Sequence, residues 1–527
     1  MFFFQTMTNC LNFNCYTLLL VCILSAISVS KCDQCIKRNY GHSSFVCVCN
    51  SSYCDEITIK SLPTSDQVHI YTSTTKSERF SFRYINKSPL TNKSSLTINV
   101  DRSVKFQKIK GFGGALTDSA AINILSLSLE AKNKLLKSYF SSSGAEYNLV
   151  RIPIASCDYS THNYTYLDTE DDFNLTTFSL ALEDTKYKIP LLKDIFKLKA
   201  RNISLYASPW TAPAWMKTNN NEIGKGGLKG KAGDKYHKTW AKYFIKFFDS
   251  YKKHGINFWG FTVQNEPSNG LIVKSTWQSL GMTAAQQRDF IKLDLGPELS
   301  KSSYKDLKLM ILDDQRLFMP SFLETVLADK EVSNYVSGIG IHWYWNWLMP
   351  ASITMEPTHQ EFPDKFMLAT EACNKNQPIN SLGSWENGAK YSDDILDVLN
   401  NWGVGWVDWN IVLNLQGGPN WANNFDNSPI ITNSTGDEFY KQPMYYHMAH
   451  FSKFIKEDDH RVKSTATNDE SPSSDYLKFV VIKSDSNLMK LVILNKWGTE
   501  KHVNVVDGKT TFSFVVPPSS IQTILWV

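Results

Sequence analysis

Two kinds of hydrophobic pattern alternate along this chain. Short runs that are β-branched or alternate apolar with polar, separated by Ser, Thr, Asn, Gly or Pro, occupy both ends. Val68–Ser73, Arg79–Tyr84 and Leu96–Val100 read as strands near the start. Tyr476–Lys483, Leu488–Asn495, His502–Val506, Thr511–Val516 and Ile521–Val527 read the same way near the end, so the two ends predict one shared β-sandwich. The middle differs: continuous apolar strands alternate with amphipathic helices. The candidate strands are Lys108–Gly113, Asn148–Ile154, Ile203–Ser208, Phe258–Val263, Lys308–Leu312, Gly338–Tyr344, Phe366–Thr370 and Val404–Asn410. The clearest helix spans Asp234 to His254, with Trp240, Tyr243, Phe244, Phe247 and Tyr251 at helical spacing, Asp234 as its cap and Gly255 as its stop. Eight strand–helix units over about 300 residues predict a (β/α)8 barrel. A doubly wound sheet is the alternative that strand counting leaves open.

The N-terminus carries a different pattern. Tyr16–Val29 is a predominantly apolar run, too short for a membrane span and of the right length for the core of a signal peptide, with Ser28-Val29-Ser30 as small cleavage-site residues. No other long apolar stretch follows, so the mature chain is expected to lack a transmembrane segment. Five cysteines crowd the next stretch, at 32, 35, 47, 49 and 54, which predicts a disulfide knot in an exported protein. Cys157 and Cys373 are isolated and read as buried free thiols. Asn-x-Ser/Thr sequons begin at Asn50, Asn86, Asn92, Asn163, Asn174, Asn202 and Asn433, the expected glycosylation sites of a secretory-pathway protein. The expected units are a signal peptide over 1–30, a small disulfide-bonded β module from 31–58 with 411–442, a β-sandwich from 59–106 with 459–527, and a barrel from 107–410 with 443–458. The net charge of +4 over 527 residues forms no basic patch, so no nucleic-acid partner is expected.

In such a barrel the chemistry sits where the strands end. The fourth strand leads into Gln264-Asn265-Glu266-Pro267 and the seventh into Glu371-Ala372-Cys373. Two carboxyl groups on one rim are what glycosidic cleavage requires. A lone strand-end Glu is more often a cap or an ion-pair partner; two in the same plane weaken that reading. Aromatic and polar residues follow the other strands: Ser208-Pro209-Trp210, His342-Trp343-Tyr344, Asp408-Trp409-Asn410 and Cys157-Asp158-Tyr159. Such rims stack on the apolar face of a sugar and meet its hydroxyls. Core packing is the competing reading for Trp343, and turn chemistry for Asp158. Other chemistries find no support. The stretch Gly111-Phe112-Gly113-Gly114-Ala115-Leu116 lacks the last Gly of a dinucleotide loop and reads as close backbone approach. There is no His-Glu-x-x-His or Gly-x-Ser-x-Gly, and His342 has no second His at metal-ligand spacing, so neither a metal nor a cofactor is expected.

Longer motifs carry a family resemblance. They are Phe106-Gln107-Lys108 with Lys110-Gly111-Phe112-Gly113-Gly114, Arg151-Ile152-Pro153-Ile154-Ala155-Ser156-Cys157-Asp158, Ala207-Ser208-Pro209-Trp210-Thr211, Leu312-Asp313-Asp314-Gln315-Arg316 and Gly417-Gly418-Pro419-Asn420-Trp421. From Cys35 to Trp526 the chain resembles the acid β-glucosidases (glucosylceramidases) of glycoside hydrolase family 30. The resemblance implies Glu266 as general acid/base and Glu371 as nucleophile of a retaining double displacement. It implies Asp158, Trp210, Asn265, Trp409 and Asn424 around the glucose, Tyr344 at the mouth, and Arg151, Asp313, Arg316 and His342 as supports. It also implies the disulfides Cys35–Cys47 and Cys49–Cys54. Glucosylceramide in membranes or micelles is the implied substrate, with a saposin-type activator and anionic lipid as partners, in the lysosome or outside the cell. For an acid at working pH, Glu266 is expected to have a raised pKa. The chain departs from the pattern at Gln264, where vertebrate relatives carry Glu, at Trp277, which replaces another aromatic, and at the shortened stretch Asn374–Asn380. Cys32 is an extra cysteine. The alternatives are a β-xylosidase or β-1,6-glucanase of the same family, and an inactive carbohydrate-binding relative.

Overall fold

The computed structural model describes residues 34–91, 94–271, 276–467 and 477–527. The expected signal peptide over 1–30, Cys32 and the sequon at Asn92 lie outside the described residues.

Eight parallel strands close into a barrel: β1 (Gly111–Ala115), β2 (Leu149–Ile154), β3 (Ser204–Pro209), β4 (Gly260–Thr262), β5 (Lys308–Gln315), β6 (Val336–His342), β7 (Phe366–Glu371) and β8 (Gly403–Asn410). β8 pairs with β1 and β4 with β5, so no edge remains and the doubly wound alternative is excluded. The glycine-rich β1 is a consequence of closure. A Cβ on Gly113 would sit 1.7 Å from the Leu149 carbonyl oxygen. The first strand begins later than its hydrophobic pattern suggests. Residues 96–108 form one long strand that belongs to the sandwich, and the chain turns at Ile109 and Lys110 before entering β1.

Helix α1 (Lys235–Lys253) follows β3. Asp234 caps it by accepting from the amides of Tyr236 and His237, and Gly255, at φ +80°, lets the chain leave it. Its aromatic stripe of Trp240, Tyr243, Phe244, Phe247 and Tyr251 is fully buried against the barrel. Burying each such side chain contributes roughly 1.5–3 kcal/mol.

Both chain ends meet in one nine-stranded sheet, in the order 510–516, 501–507, 96–108, 460–467, 477–483, 489–495, 520–526, 67–74 and 81–86. The strand His460–Thr467 has no apolar alternation and is invisible to patterning. It is held by its pairing with Leu96–Lys108. A smaller five-stranded sheet joins Lys37–Asn39 and Phe45–Asn50 to strands at 412–414, 430–433 and 438–441. Its two disulfides are Cys35–Cys47 and Cys49–Cys54. Cys157 and Cys373 are buried free thiols. No helix of the described residues is long and apolar enough to cross a membrane.

Candidate active site

Register places the chemistry. Gln315 on β5 pairs with His342 on β6, and His342 with Glu371 on β7, so three polar side chains stand in a row at the ends of adjacent strands. The register of β5 shifts between Leu312 and Asp314, and both Leu312 and Asp313 have left-handed backbone, φ +68° and +53°. That bulge turns Asp313 into the barrel centre. Beside this row, on the strand paired with β5, β4 stops at Thr262 and the chain continues to Glu266, itself left-handed at φ +40°. Its amide is tied to the Asp313 carbonyl at 2.9 Å, and the Asn265 amide to the Pro209 carbonyl at 2.9 Å. Three strained residues (Leu312, Asp313 and Glu266) around one point are what a preorganised site stores.

Arg151 organises the centre. It is fully buried on β2 and donates to Glu371 Oε2, to Asp313 Oδ2 and Asn265 Oδ1 (2.8 Å each), and to Ser208 Oγ (3.1 Å). Asp313 also accepts from Thr262 (2.7 Å) and Thr370 (2.6 Å). His342 bridges the two halves, with Nε2 3.1 Å from Asp313 and Nδ1 3.0 Å from Glu266 Oε1 and 3.8 Å from Glu371 Oε1. Gln315 Nε2 donates to Glu266 Oε1 at 2.9 Å, and the Tyr344 hydroxyl to Glu371 Oε1 at 2.8 Å. An oxygen of Glu266 and one of Glu371 lie within 4.8 Å of each other.

Charge follows from these contacts. Burial pushes His342 down, but Glu371, Asp313 and Glu266 outweigh it and raise its pKa to about 10, so the imidazolium is charged at any working pH. Burial likewise pushes Asp313 up, and Arg151 with His342 holds it well below the ordinary carboxylate range. Glu266 corrects the expectation of a raised pKa. Burial does push it up, but the hydrogen bond and charge of His342, with Lys375 and Arg151 beyond, leave it below its ordinary value. The sequence cannot show this, because the cation responsible arrives from another strand. Asp314, buried beside Glu266, is raised by burial and by that neighbour's charge.

The two carboxyl groups open onto a cavity of about 160 Å³ lined by Asp158, Trp210, Asn265, Tyr344, Trp409 and Asn424. Trp210 and Trp409 stack, with ring centres 5.0 Å apart and planes 16° apart, and Arg151 lies against both. Asn424 Nδ2 donates to Asp158 Oδ2 at 2.8 Å, and burial raises the Asp158 pKa to about 7. The structure therefore brings these six residues, Glu266, Glu371, Arg151, Asp313 and His342 together.

Other expectations land elsewhere. Arg316 touches neither carboxyl group; it holds the loop after β6 by donating to the carbonyls of Met349 (3.1 Å) and Asn346 (3.5 Å). Of Asp408-Trp409-Asn410 only Trp409 faces the cavity. Asp408 accepts from Tyr391 and Asn410 from Thr117 inside the protein. Trp343 packs edge-on against Tyr391 and Trp406, the core reading. Gln264 is buried and braces the Trp210 carbonyl at 2.9 Å, whereas Trp277 lines the cavity. Sequence reading missed Gln315, Asn269 and Lys375, all of which line it. Lys375 lies in the Asn374–Asn380 stretch, where the resemblance leads one to expect a departure from the family pattern. Its ammonium sits 4.8 Å over the Tyr344 ring and 3.1 Å from Asp426; burial pushes its pKa down, and nearby acidic groups including Asp426 and Asp158 outweigh that. The expected departure at Asn374–Asn380 pointed there, and Gln315 stands inside the Leu312–Arg316 motif, whereas Asn269 gave no signal.

Comparison with known proteins decides the family. The glycosyl hydrolase family 30 TIM-barrel domain matches residues 109–455, and the family's beta sandwich domain matches residues 460–524. The chain belongs to glycosyl hydrolase family 30. This family 30 enzyme is 46% identical over 498 residues to the lysosomal acid glucosylceramidase of Mus musculus, covering 94% of this chain and 96% of that one. It is 41% identical over 505 residues to putative glucosylceramidase 3 of Caenorhabditis elegans, covering 94% and 95%. Among solved structures, SrfJ from Salmonella typhimurium superposes with a TM-score of 0.80 at 28% identity, covering 87% of this chain and 99% of SrfJ.

Proposed function

We propose that this glycoside hydrolase is a retaining exo-β-glucosidase that cleaves glucosylceramide to glucose and ceramide. The observation that carries the reading is the pair Glu266 and Glu371, with oxygens within 4.8 Å across a cavity for one sugar. Retaining enzymes hold their carboxyl groups about 5–5.5 Å apart, whereas inverting ones leave about 6.5–9.5 Å for a water.

In the first step Glu371 attacks the anomeric carbon while Glu266 gives its proton to the departing oxygen. A glucosyl–Glu371 ester forms and ceramide leaves. In the second step Glu266 takes a proton from water, the water oxygen attacks the same carbon, and Glu371 departs as carboxylate. Arg151, His342 and the Tyr344 hydroxyl hold Glu371 in place. Glu266 starts more acidic than its task asks. Filling the cavity with glucose removes water from it, strengthens the desolvation that raises its pKa, and an acidic compartment supplies the proton. Trp210 and Trp409 offer the apolar wall, and Asp158, Asn265 and Asn424 the polar partners, for the hydroxyls. No cofactor enters these steps.

The lipid part of the reading is supported by the 46% identity to a glucosylceramidase and by apolar residues beside the mouth. Trp345, Trp347, Leu348 and Ile353 are exposed on and just after the loop following β6, Trp347 to 80%. Such a cluster fits a lipid surface, where Trp sits well at the headgroup level. A saposin-type activator and anionic lipid would act at this face. The lysosome, or secretion, suits the disulfides and the exposed sequon residues Asn86, Asn163, Asn174 and Asn202. Asn50 and Asn433 are half-buried and are the poorer glycan acceptors.

The test is covalent. A cyclitol epoxide should label Glu371, as located by peptide mass, and block release of glucose from glucosylceramide in anionic vesicles. Glu266→Gln should spare the first step only for substrates with good leaving groups. Labelling elsewhere, or faster release from β-1,6-glucan or xylan than from the glycolipid, would refute the proposal.

A further inference from the structure

The two oxygens of Glu266 have different surroundings. Oε1 accepts from Gln315 at 2.9 Å and faces His342 at 3.0 Å. Oε2 accepts from the side-chain amide of Asn269 at 2.5 Å. Asn269 reaches it through a tight turn. Its backbone amide donates to the Glu266 carbonyl at 3.0 Å, and the Ser268 amide between them is pinned by Asp314 Oδ2 at 2.9 Å. The turn therefore returns the amide to the carboxyl group of its own first residue, on the wall of the cavity.

We infer that Asn269 is a positioning residue for glycosidic cleavage: its amide holds Oε2 of Glu266 as the proton-delivering oxygen and sets that oxygen's acidity. The inference rests on Glu266 being the acid/base. A carboxyl oxygen has two lone-pair sites. Those of Oε1 are taken by Gln315 and by His342, so the proton belongs on Oε2. There the Asn269 N–H fills one site and leaves the other for the proton. As that proton passes to the departing oxygen, negative charge grows on Glu266 and the Asn269 bond becomes charge-assisted, roughly doubling in strength. An interaction that strengthens as the proton leaves accelerates the step. The groups that bear on Glu266 electrostatically are His342, Arg151 and Lys375 on the positive side and Asp314 and Glu371 on the negative. Asn269 is itself neutral and does not titrate, so any pH dependence it contributes comes through the Glu266 carboxyl group.

The experiment compares Asn269→Ala, which removes the donor, and the isosteric Asn269→Asp, which cannot donate once ionised, with the native enzyme. Each is assayed across pH on 4-methylumbelliferyl β-glucoside and on 2,4-dinitrophenyl β-glucoside, whose leaving group needs little protonation. Glu266→Gln is run in parallel, and melting curves establish that each variant is folded. Asn269→Ala should move the alkaline limb of kcat/KM upward by about one pH unit and leave the acid limb in place. Asn269→Asp should move it further, because a second negative charge faces the carboxyl group. At the optimum kcat/KM should fall about tenfold on the methylumbelliferyl substrate, and far less on the dinitrophenyl one. Equal losses on both substrates with unmoved limbs in a folded variant would overturn the inference while leaving the role of Glu266 intact. Equal losses in Glu266→Gln itself would show that the underlying reading is wrong, and the inference would fall with it.

Discussion

Replacing Arg151 by Met tests the electrostatics of the barrel centre. The native guanidinium is fully buried and makes hydrogen bonds to Glu371, Asp313, Asn265 and Ser208. Met has a similar volume and fills the space, so packing loss is small. What changes is that two buried carboxylates lose a counter-charge and keep only His342. Breaking a buried pair by removing one partner costs about 3–5 kcal/mol. For a barrel covering residues 109–455, an unfolding entropy of about 0.7 kcal/mol/K turns this into a fall of about 4–7 °C in Tm. The pH dependence is the sharper signature. Asp313 is depressed in the native protein, so its contribution is fully present above the unfolded Asp pKa of about 3.9 and is lost only as pH falls through its low folded value. The native enzyme should keep it at both pH 4.5 and pH 7.5. Without Arg151 only His342 is left to hold Asp313 down, so at pH 4.5 that carboxylate takes a proton more readily and relieves the repulsion. Scanning fluorimetry of Arg151→Met should therefore show a larger Tm loss at pH 7.5 than at pH 4.5. A loss under 2 °C, or equal losses at the two pH values, would refute the reasoning.

Three further outcomes are expected. Asp158 titrates near 7 in the free enzyme because burial raises it, so at pH 5 it is mostly protonated; Asp158→Asn should then lose less than about tenfold in kcat/KM at pH 5, and Asp158→Ala far more, as read from initial rates. Trp210→Ala removes one partner of the Trp210–Trp409 stack and should cost about 3–5 kcal/mol of stability together with a raised KM, measured by melting and by substrate titration. The Cys35–Cys47 bridge closes a span of 12 residues, so the double Ser variant should lose about 3 kcal/mol locally, seen as protease cleavage within residues 34–58 that the native protein resists.

Hydrophobic periodicity alone placed all eight barrel strands and the Lys235–Lys253 helix, because each buries a continuous apolar face whose spacing is local. Its failures are equally physical. The strand His460–Thr467 buries almost nothing and exists because Leu96–Lys108 offers it a partner, and residues 107 and 108 continue that sandwich strand instead of opening the barrel. The rim carboxylates Glu266 and Glu371 were legible because a strand end followed by Glu is a local pattern. So was the aromatic wall of Trp210 and Trp409. What the sequence could not determine is everything that depends on which strand lies next to which. Register sets Gln315, His342 and Glu371 in one row, a bulge turns Asp313 inward, and the charged His342 then lowers the Glu266 pKa where sequence reasoning expected it raised. Arg316 and Asp408, equally polar in the sequence, point into loop and core instead. Strand order in a closed barrel brings residues from over 200 positions apart within hydrogen-bonding distance, as in the Arg151–Glu371 pair. The residue types of this site were therefore decided locally, but their protonation and their division of labour were decided by tertiary structure, because electrostatic interactions depend on distance in space.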